Sequence, residues 1–428
     1  MHGNLTSHRN EGEAMTPVYD AGDTAWMILC TALVLLMIVG LALFYAGLVR
    51  SKNALGMMMY VVGAIVAVSV TWVLVGFSLA YGPDALGGFV GNLDHAGLAG
   101  LGESPIFAGL DFPPIAFAMF TMMLAVFSAA VITGAAADRM KFGAMLAFLA
   151  LWSVVVFPVV THWALAPGGW MVAWGVLDFA GGTVVGVSAG ASALALVLVL
   201  GPRRHWQEST MRPHSLPLTL LGALLLWMGW LGLTAGSALS ANGVAASAVL
   251  ATHLAAVGAV SGWLLLEKRL NGKATSRGAV SGAVAGLVAV TPAAGFLDPF
   301  ASLLLGFLAG GASFLALRVK FRWRFDDALD VVAVNYVGGV LGLLFVGFFA
   351  RLIVGGGTQA VGLVNAGDAA QLGKQAVAVL VISAFAFVAS WVIAMGLRAF
   401  MGLRVTPEGE EQGLDSHQHG ETAYEIRH

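Results

Sequence analysis

Charge-free apolar stretches long enough to cross a bilayer follow one another along most of the chain, separated by short polar or glycine-bearing breaks. A helix needs about 20 apolar residues to span the hydrocarbon layer. Stretches near 25–49, 57–81, 113–137, 142–164, 179–201, 217–239, 243–266, 278–297, 299–317, 328–350 and 375–397 approach or exceed that length. The run from Ser215 to Leu266 is too long for one crossing, and "SALSANGVAA" in its middle supplies a polar turn that divides it in two. The apolar runs are continuous rather than alternating at every second position, which excludes a transmembrane barrel. The pattern predicts an all-α integral membrane protein of about eleven transmembrane helices, with an external segment at 1–22, a membrane domain at 23–400 and a polar tail at 401–428.

Composition reinforces this reading: 59% of residues are hydrophobic and 10% charged, and the mean hydropathy of +0.87 lies beyond that of soluble domains. The 56 glycines indicate closely approaching helices. With the N-terminus outside, Arg50/Lys52, Arg139/Lys141, Arg203/Arg204/Arg212, Lys268/Arg269/Lys273/Arg277, Arg318/Lys320/Arg322/Arg324 and Arg398/Arg404/Arg427 all face the cytoplasm, leaving Arg9, Arg351 and Lys374 outside. This arrangement predicts a cytoplasmic C-terminus and a cell-membrane location. The opposite surface carries Asp20, Asp23, Asp84, Asp94, Glu103 and Asp111, a modestly acidic rim that would collect cations. Ordinary solvation of loops explains each acid equally well. The N-terminal segment lacks a basic region followed by a short apolar core, so no cleavable signal peptide is expected. One cysteine, Cys30, permits no disulfide framework. "GMMMY" and "MFTMML" read as packing, and "HQH" with His428 supplies no closed ligand set. No cofactor, metal, nucleic-acid partner or enzymatic chemistry is expected.

More particular are "DTAWMILCTALVLLMIVGLALFYAGLVRSKN" (23–53), "THWALAPGGW" (161–170), "LDFAGGTVV" (177–185), "GWLGLTAGSALSANG" (229–243), "VTPAAGF" (290–296) and "DDALDVVAVNYVGG" (326–339). In order, these resemble segments of the ammonium transporter/methylammonium permease/Rhesus family. The resemblance runs from about residue 18 to 424. It implies a homotrimer of eleven-helix protomers, each with its own pore for ammonium or ammonia. Five helices and their inverted repeat would be followed by one extra C-terminal helix. A trace of the repeat is visible here: Asp178 precedes Gly186 by eight residues, and Asp327 precedes Asn335 by eight.

The resemblance also assigns roles. Asp178 would organise the outer cation site, holding loop carbonyls and the Thr183 hydroxyl. It would equally serve as a helix N-cap. Ser237 matches the serine that hydrogen-bonds the bound cation, while Phe120 and Trp230 match pore-wall residues. The departures matter more. At the family's two pore-histidine positions this chain has Gly186 and Asn335. Of its histidines, only His162 and His253 fall in spans, and neither matches those positions. The aromatic of the outer cation cup is Leu165, and the stacked gate phenylalanines are Leu124 and Leu233. Losing a cation–π partner removes about 0.5–2 kcal/mol of capture. With no imidazole near pKa ~6.5 to pass a proton, the expected outcome is low ammonium current, or a water-filled pore of relaxed selectivity. Histidines at 186 and 335 together are expected to refill the space. Two further readings stand beside transport of ammonium: a receptor that binds at the outer mouth without efficient conduction, and a transporter of another small cation or neutral solute.

Gly413, Leu414, Asp415, His419, Gly420, Glu421, Ala423 and Tyr424 resemble the family tail that folds under the trimer and lets PII-type signal proteins engage the pores from inside. A disordered acidic tail is the alternative reading.

Overall fold

The computed structural model describes residues 19–102, 106–107, 110–207, 212–354 and 357–424, with backbone alone at 352–354 and 357–360. Arg9, Glu103, Arg427, His428 and most of the 1–22 segment lie outside the described residues. Eleven long helices follow: α1 (Ala21–Leu48), α2 (Ser51–Tyr81), α3 (Pro114–Ala136), α4 (Phe142–Val155 continued by Phe157–Leu165), α5 (Thr183–Leu200), α6 (Leu216–Gly236), α7 (Gly243–Asn271), α8 (Ser276–Val290), α9 (Pro299–Trp323), α10 (Val332–Phe349) and α11 (Ala370–Phe400). All but α8 are long and apolar enough to cross a membrane. α8 has 15 residues, and the turn that follows frees its last carbonyls. In that turn the carbonyls of Thr291 and Pro292 accept the Ala180 and Phe179 N–H groups, which knits the end of α8 to the lead-in of α5. Among the described residues the only strand pair is a four-residue ribbon, Arg351–Val354 with Gly357–Ala360, in the loop between α10 and α11.

The bundle is close-packed because small residues let backbones meet. α1 crosses α6 where a Cβ on Gly40 would lie 2.8 Å from the Gly222 carbonyl oxygen, and one on Gly222 would lie 2.2 Å from Phe44 N. No side chain fits there, which accounts for glycine at both positions. α1 and α6 open the two halves of the repeat, so this seam joins equivalent elements.

The symmetry shows best at two helix starts. Asp178 accepts from Gly182 N at 2.7 Å through Oδ1 and from Thr183 N at 2.8 Å through Oδ2. Asp327 accepts from Val331 N at 3.1 Å through Oδ1 and from Val332 N at 2.7 Å through Oδ2. Each helix then opens with a π-helical turn, Thr183–Ser188 in one half and Val332–Tyr336 in the other. Wide turns of this kind concentrate at functional sites, and here they hold Gly186 and Asn335.

Members of four basic clusters, Arg50, Arg203, Arg212, Arg277 and Lys320, line one cavity, but not all of the clustered basic residues meet solvent. Arg139 is fully buried and donates to the Asp326 carbonyl at 2.6 Å. Arg203 bridges Asp138 and Asp326, at 2.8 Å to each. These two arginines weld the loop after α3 to the segments flanking α5 and α10, a role that counting charges by loop does not reveal.

Candidate permeation site

A vestibule of about 440 Å³ opens where α3, α4, α6 and the lead-in to α5 converge, and it gathers Phe120, Leu124, Leu165, Asp178 and Ser237 on one wall system. Phe120 is seated on Gly236, whose Cβ would lie 2.6 Å from the ring, so the glycine makes room for the aromatic beside Ser237. The Ser237 hydroxyl donates to the Leu233 carbonyl at 2.8 Å. Its proton is thereby committed to its own helix, and both lone pairs remain to accept from an N–H cation. Leu165 and Leu124 both approach Gly181, with side-chain atoms 3.6 and 3.4 Å from where its Cβ would stand. At Leu124 and Leu165 the cavity wall is therefore aliphatic where the resemblance implies rings.

Asp178 lines this vestibule but spends its oxygens on Gly182 N, Thr183 N and the Thr183 hydroxyl. The groups it holds are amide and hydroxyl donors, not the loop carbonyls anticipated from the sequence. Thr183 is fully buried and does not reach the cavity, so it positions Asp178 rather than touching a solute.

Beyond Leu124 the path narrows. Leu233 is fully buried and lines neither the vestibule nor the pocket below it. Below it lies a pocket of about 20 Å³ lined by Trp230, Asn335, Tyr45 and Phe127. Trp230 is fixed by its indole N–H donating to Thr291 Oγ1 at 2.9 Å and by an edge-on contact with Phe127 at 5.2 Å. That volume suits one molecule the size of water or ammonia. The Asn335 side chain is 5% exposed and has no hydrogen-bond partner among the described residues, so its amide is available to such a molecule. Thr291 and Tyr45 are absent from the sequence-derived site. Thr291 stands in the quoted "VTPAAGF", and its role required knowing that α8 passes Trp230.

At Gly186 the structure departs from expectation. A Cβ there would stand 2.8 Å from Gly339 Cα, 3.3 Å from the Asn335 carbonyl oxygen and 3.4 Å from a Val288 methyl. Gly186 lines neither the vestibule nor the small pocket. The site is a glycine–glycine seam between α5 and α10, not a vacated imidazole socket, so there is no space for a histidine to refill. The two span histidines line neither the vestibule nor the small pocket. His162 meets the Ala80 carbonyl at 2.9 Å and Asp84 at 3.4 Å, and exposed His253 lies against Trp227 at 5.3 Å.

The vestibule wall yields a direct test. Leu165→Trp places an aromatic face where a cation docks, and ammonium binding is expected to tighten by roughly 2- to 30-fold. Titration of purified wild type and variant with ammonium reads it; unchanged affinity would move the cation site away from Leu165.

The tail is ordered against the same molecule. Asp415 accepts from Gly56 N at 2.7 Å and Leu55 N at 3.1 Å, capping the start of α2. Gln418, absent from the sequence-derived set, accepts from Phe142 N at 2.6 Å and caps α4. Leu414 N donates to Asn53 at 2.8 Å, the His419 ring meets Phe142 edge-on at 5.2 Å, and Tyr424 contacts His214 at 2.9 Å. Gly413 has φ +111° and lies where a Cβ would strike the Lys52 carbonyl at 2.6 Å. Gly420, φ +69°, ends the turn, and Glu421 is exposed. Burial raises the Asp415 carboxyl above its ordinary range, opposed by the N–H groups of Gly56 and Leu55.

Residues 25–424 match the family described as Ammonium Transporter Family. An "Ammonium transporter" of Bacillus subtilis is 44% identical over 405 residues, covering 94% of this chain and 98% of that one. Among solved structures, Mep2 of Saccharomyces cerevisiae superposes with a TM-score of 0.84 at 30% identity, covering 91% of each chain. A "Sensor Amt Protein" gives 0.84 at 29% identity, covering 92% of this chain and 97% of that one.

Proposed function

The chain belongs to the ammonium transporter family, a family of multi-pass membrane transporters rather than enzymes, and from this we propose that it carries ammonium to its outer vestibule and passes ammonia, uncharged, through each protomer. The observation that supports this reading most is the sequence of spaces: a vestibule with Ser237 offering lone pairs, a buried leucine layer, and a pocket sized for one small molecule beside Trp230 and Asn335. An ion crossing the leucine layer would lose its hydration with no charge to replace it, a cost of many kcal/mol, whereas ammonia forfeits only hydrogen bonds. Neither Gly186 nor Asn335 titrates, so the proton stays with the water of the outer vestibule. Leu124 and Leu233, buried between the two spaces, favour this over a wet pore of relaxed selectivity. Uptake of ammonium into proteoliposomes tests the reading. Saturable binding without uptake would establish the receptor alternative, and preferential uptake of a different solute would establish the other.

The protein is read as a homotrimer in the cell membrane, with its N-terminus outside and the tail-bearing face in the cytoplasm, where a PII-type protein would meet the docked tail. Its assembly rests on helix faces, not on the tail. Asp415→Ala is therefore expected to leave three protomers together in native mass spectrometry, while lowering stability by about 0.5–2 kcal/mol through the lost cap, read as a lower Tm. Dissociation of the variant, or an unchanged Tm, would contradict this division of roles.

A further inference from the structure

On the face that carries the tail, a cavity of about 580 Å³ adjoins the small pocket and shares Arg277, Ser281 and Asp330 with it. Five basic side chains line it, Arg50, Arg203, Arg212, Arg277 and Lys320, against three acids, Asp138, Glu267 and Asp330. Every acid is engaged. Asp138 takes Arg203 and Asn53, Asp330 takes Arg277 and Lys320, and Glu267 accepts from Thr275 N at 3.0 Å and Oγ1 at 2.8 Å.

Two arginines are left over: neither Arg50 nor Arg212 pairs with a carboxylate among the described residues. Arg50 Nε is buried without a partner, and the group's one hydrogen bond is a 3.4 Å contact to the Glu410 carbonyl. Trp263, 2% exposed, also lines this cavity, and its indole N–H is buried without a partner among the described residues. Buried donors left unmet are costly, and a cavity that concentrates them together with surplus guanidinium charge is complementary to an anion. Guanidinium groups match phosphate oxygens bidentately. Two guanidinium groups and an indole N–H offer more donors than the two oxygens of a carboxylate can accept.

We propose that this cytoplasmic vestibule is a binding site for a phosphate-bearing anion, gripped by Arg50 and Arg212 with Trp263 as a neutral donor. Its occupant sits at the exit of the small pocket and competes for the arginine that touches the tail at Glu410, so binding restrains ammonia release.

The test uses the full chain in phosphatidylcholine nanodiscs, titrated with inorganic phosphate by calorimetry. One saturable site per protomer is expected. Arg50→Gln/Arg212→Gln should weaken it at least tenfold and Trp263→Phe about threefold, while Arg269→Gln, exposed on α7, should leave it unchanged. Arg212 is exposed, so the single variant Arg212→Gln keeps the test valid if the double variant folds poorly. In a second arm, phosphatidylglycerol replaces phosphatidylcholine: loss of the phosphate signal there, with phosphatidylglycerol retained on delipidation by the wild type and not by Arg212→Gln, assigns the site to a lipid headgroup, and persistence of the phosphate signal assigns it to a free phosphate. Lack of saturable phosphate binding in phosphatidylcholine together with no Arg212-dependent lipid retention overturns the proposal, as does equal affinity in wild type and Arg212→Gln.

Discussion

Gly186→His is expected to yield little or no folded protein, whether introduced alone or with Asn335→His. The new Cβ would stand 2.8 Å from Gly339 Cα, which is backbone and cannot swing aside, and the reciprocal Cβ on Gly339 would stand 2.8 Å from Gly186 Cα. Even a methyl group in such a seam costs about 1–3 kcal/mol, and an imidazole must separate α5 from α10. Asn335→His alone is expected to fold, because Asn335 faces a cavity. Yield and Tm of the three variants, measured side by side, separate the cases. A Gly186→His protein with the wild-type Tm would show that the seam opens readily and that the position can serve as a socket.

Asp178→Ala should have the second large effect, on stability and transport together. It strips the acceptor from two backbone N–H groups and the Thr183 hydroxyl in one step. Unmet buried donors cost about 1–3 kcal/mol each, so a loss of at least ~3 kcal/mol is expected, with collapse of the α5 entrance. Ser237→Ala removes one acceptor and leaves the fold alone, and ammonium affinity should drop by about 0.5–1.5 kcal/mol. Denaturation midpoints and ammonium binding of both variants would decide the matter. If Asp178→Ala were as stable as Ser237→Ala, the aspartate would not be the support described.

Which of this was legible in the sequence depends on the range of the interaction. Span positions follow from local apolar length, and the eight-residue steps from Asp178 and Asp327 foretold paired helix starts, because both depend on neighbours along the chain. The convergence of Phe120, Leu124, Leu165, Asp178 and Ser237 was reached through the resemblance and is matched by one cavity. What stayed hidden was non-local. That Gly186 abuts Gly339 depends on how two distant helices approach. A missing side chain in the sequence reads as a void, but packed helices close over it. The Thr183 hydroxyl does meet Asp178, a contact between near neighbours along the chain, whereas the loop carbonyls expected beside it are replaced by the Gly182 and Thr183 N–H groups. The caps supplied by Asp415 and Gln418 join residues more than 270 positions apart, and Arg139 and Arg203 looked like topogenic surface charges because nothing local reveals Asp326.

The central claim is that ammonium leaves its proton outside and ammonia crosses through a path with no titratable pair. The measurement closest to it is charge moved per ammonium taken up, read in proteoliposomes by recording membrane current and internal pH during an ammonium pulse. The interior is expected to turn alkaline, as arriving ammonia takes up protons, with no sustained current. A steady inward current of one charge for each ammonium accumulated, without internal alkalinisation, would contradict it.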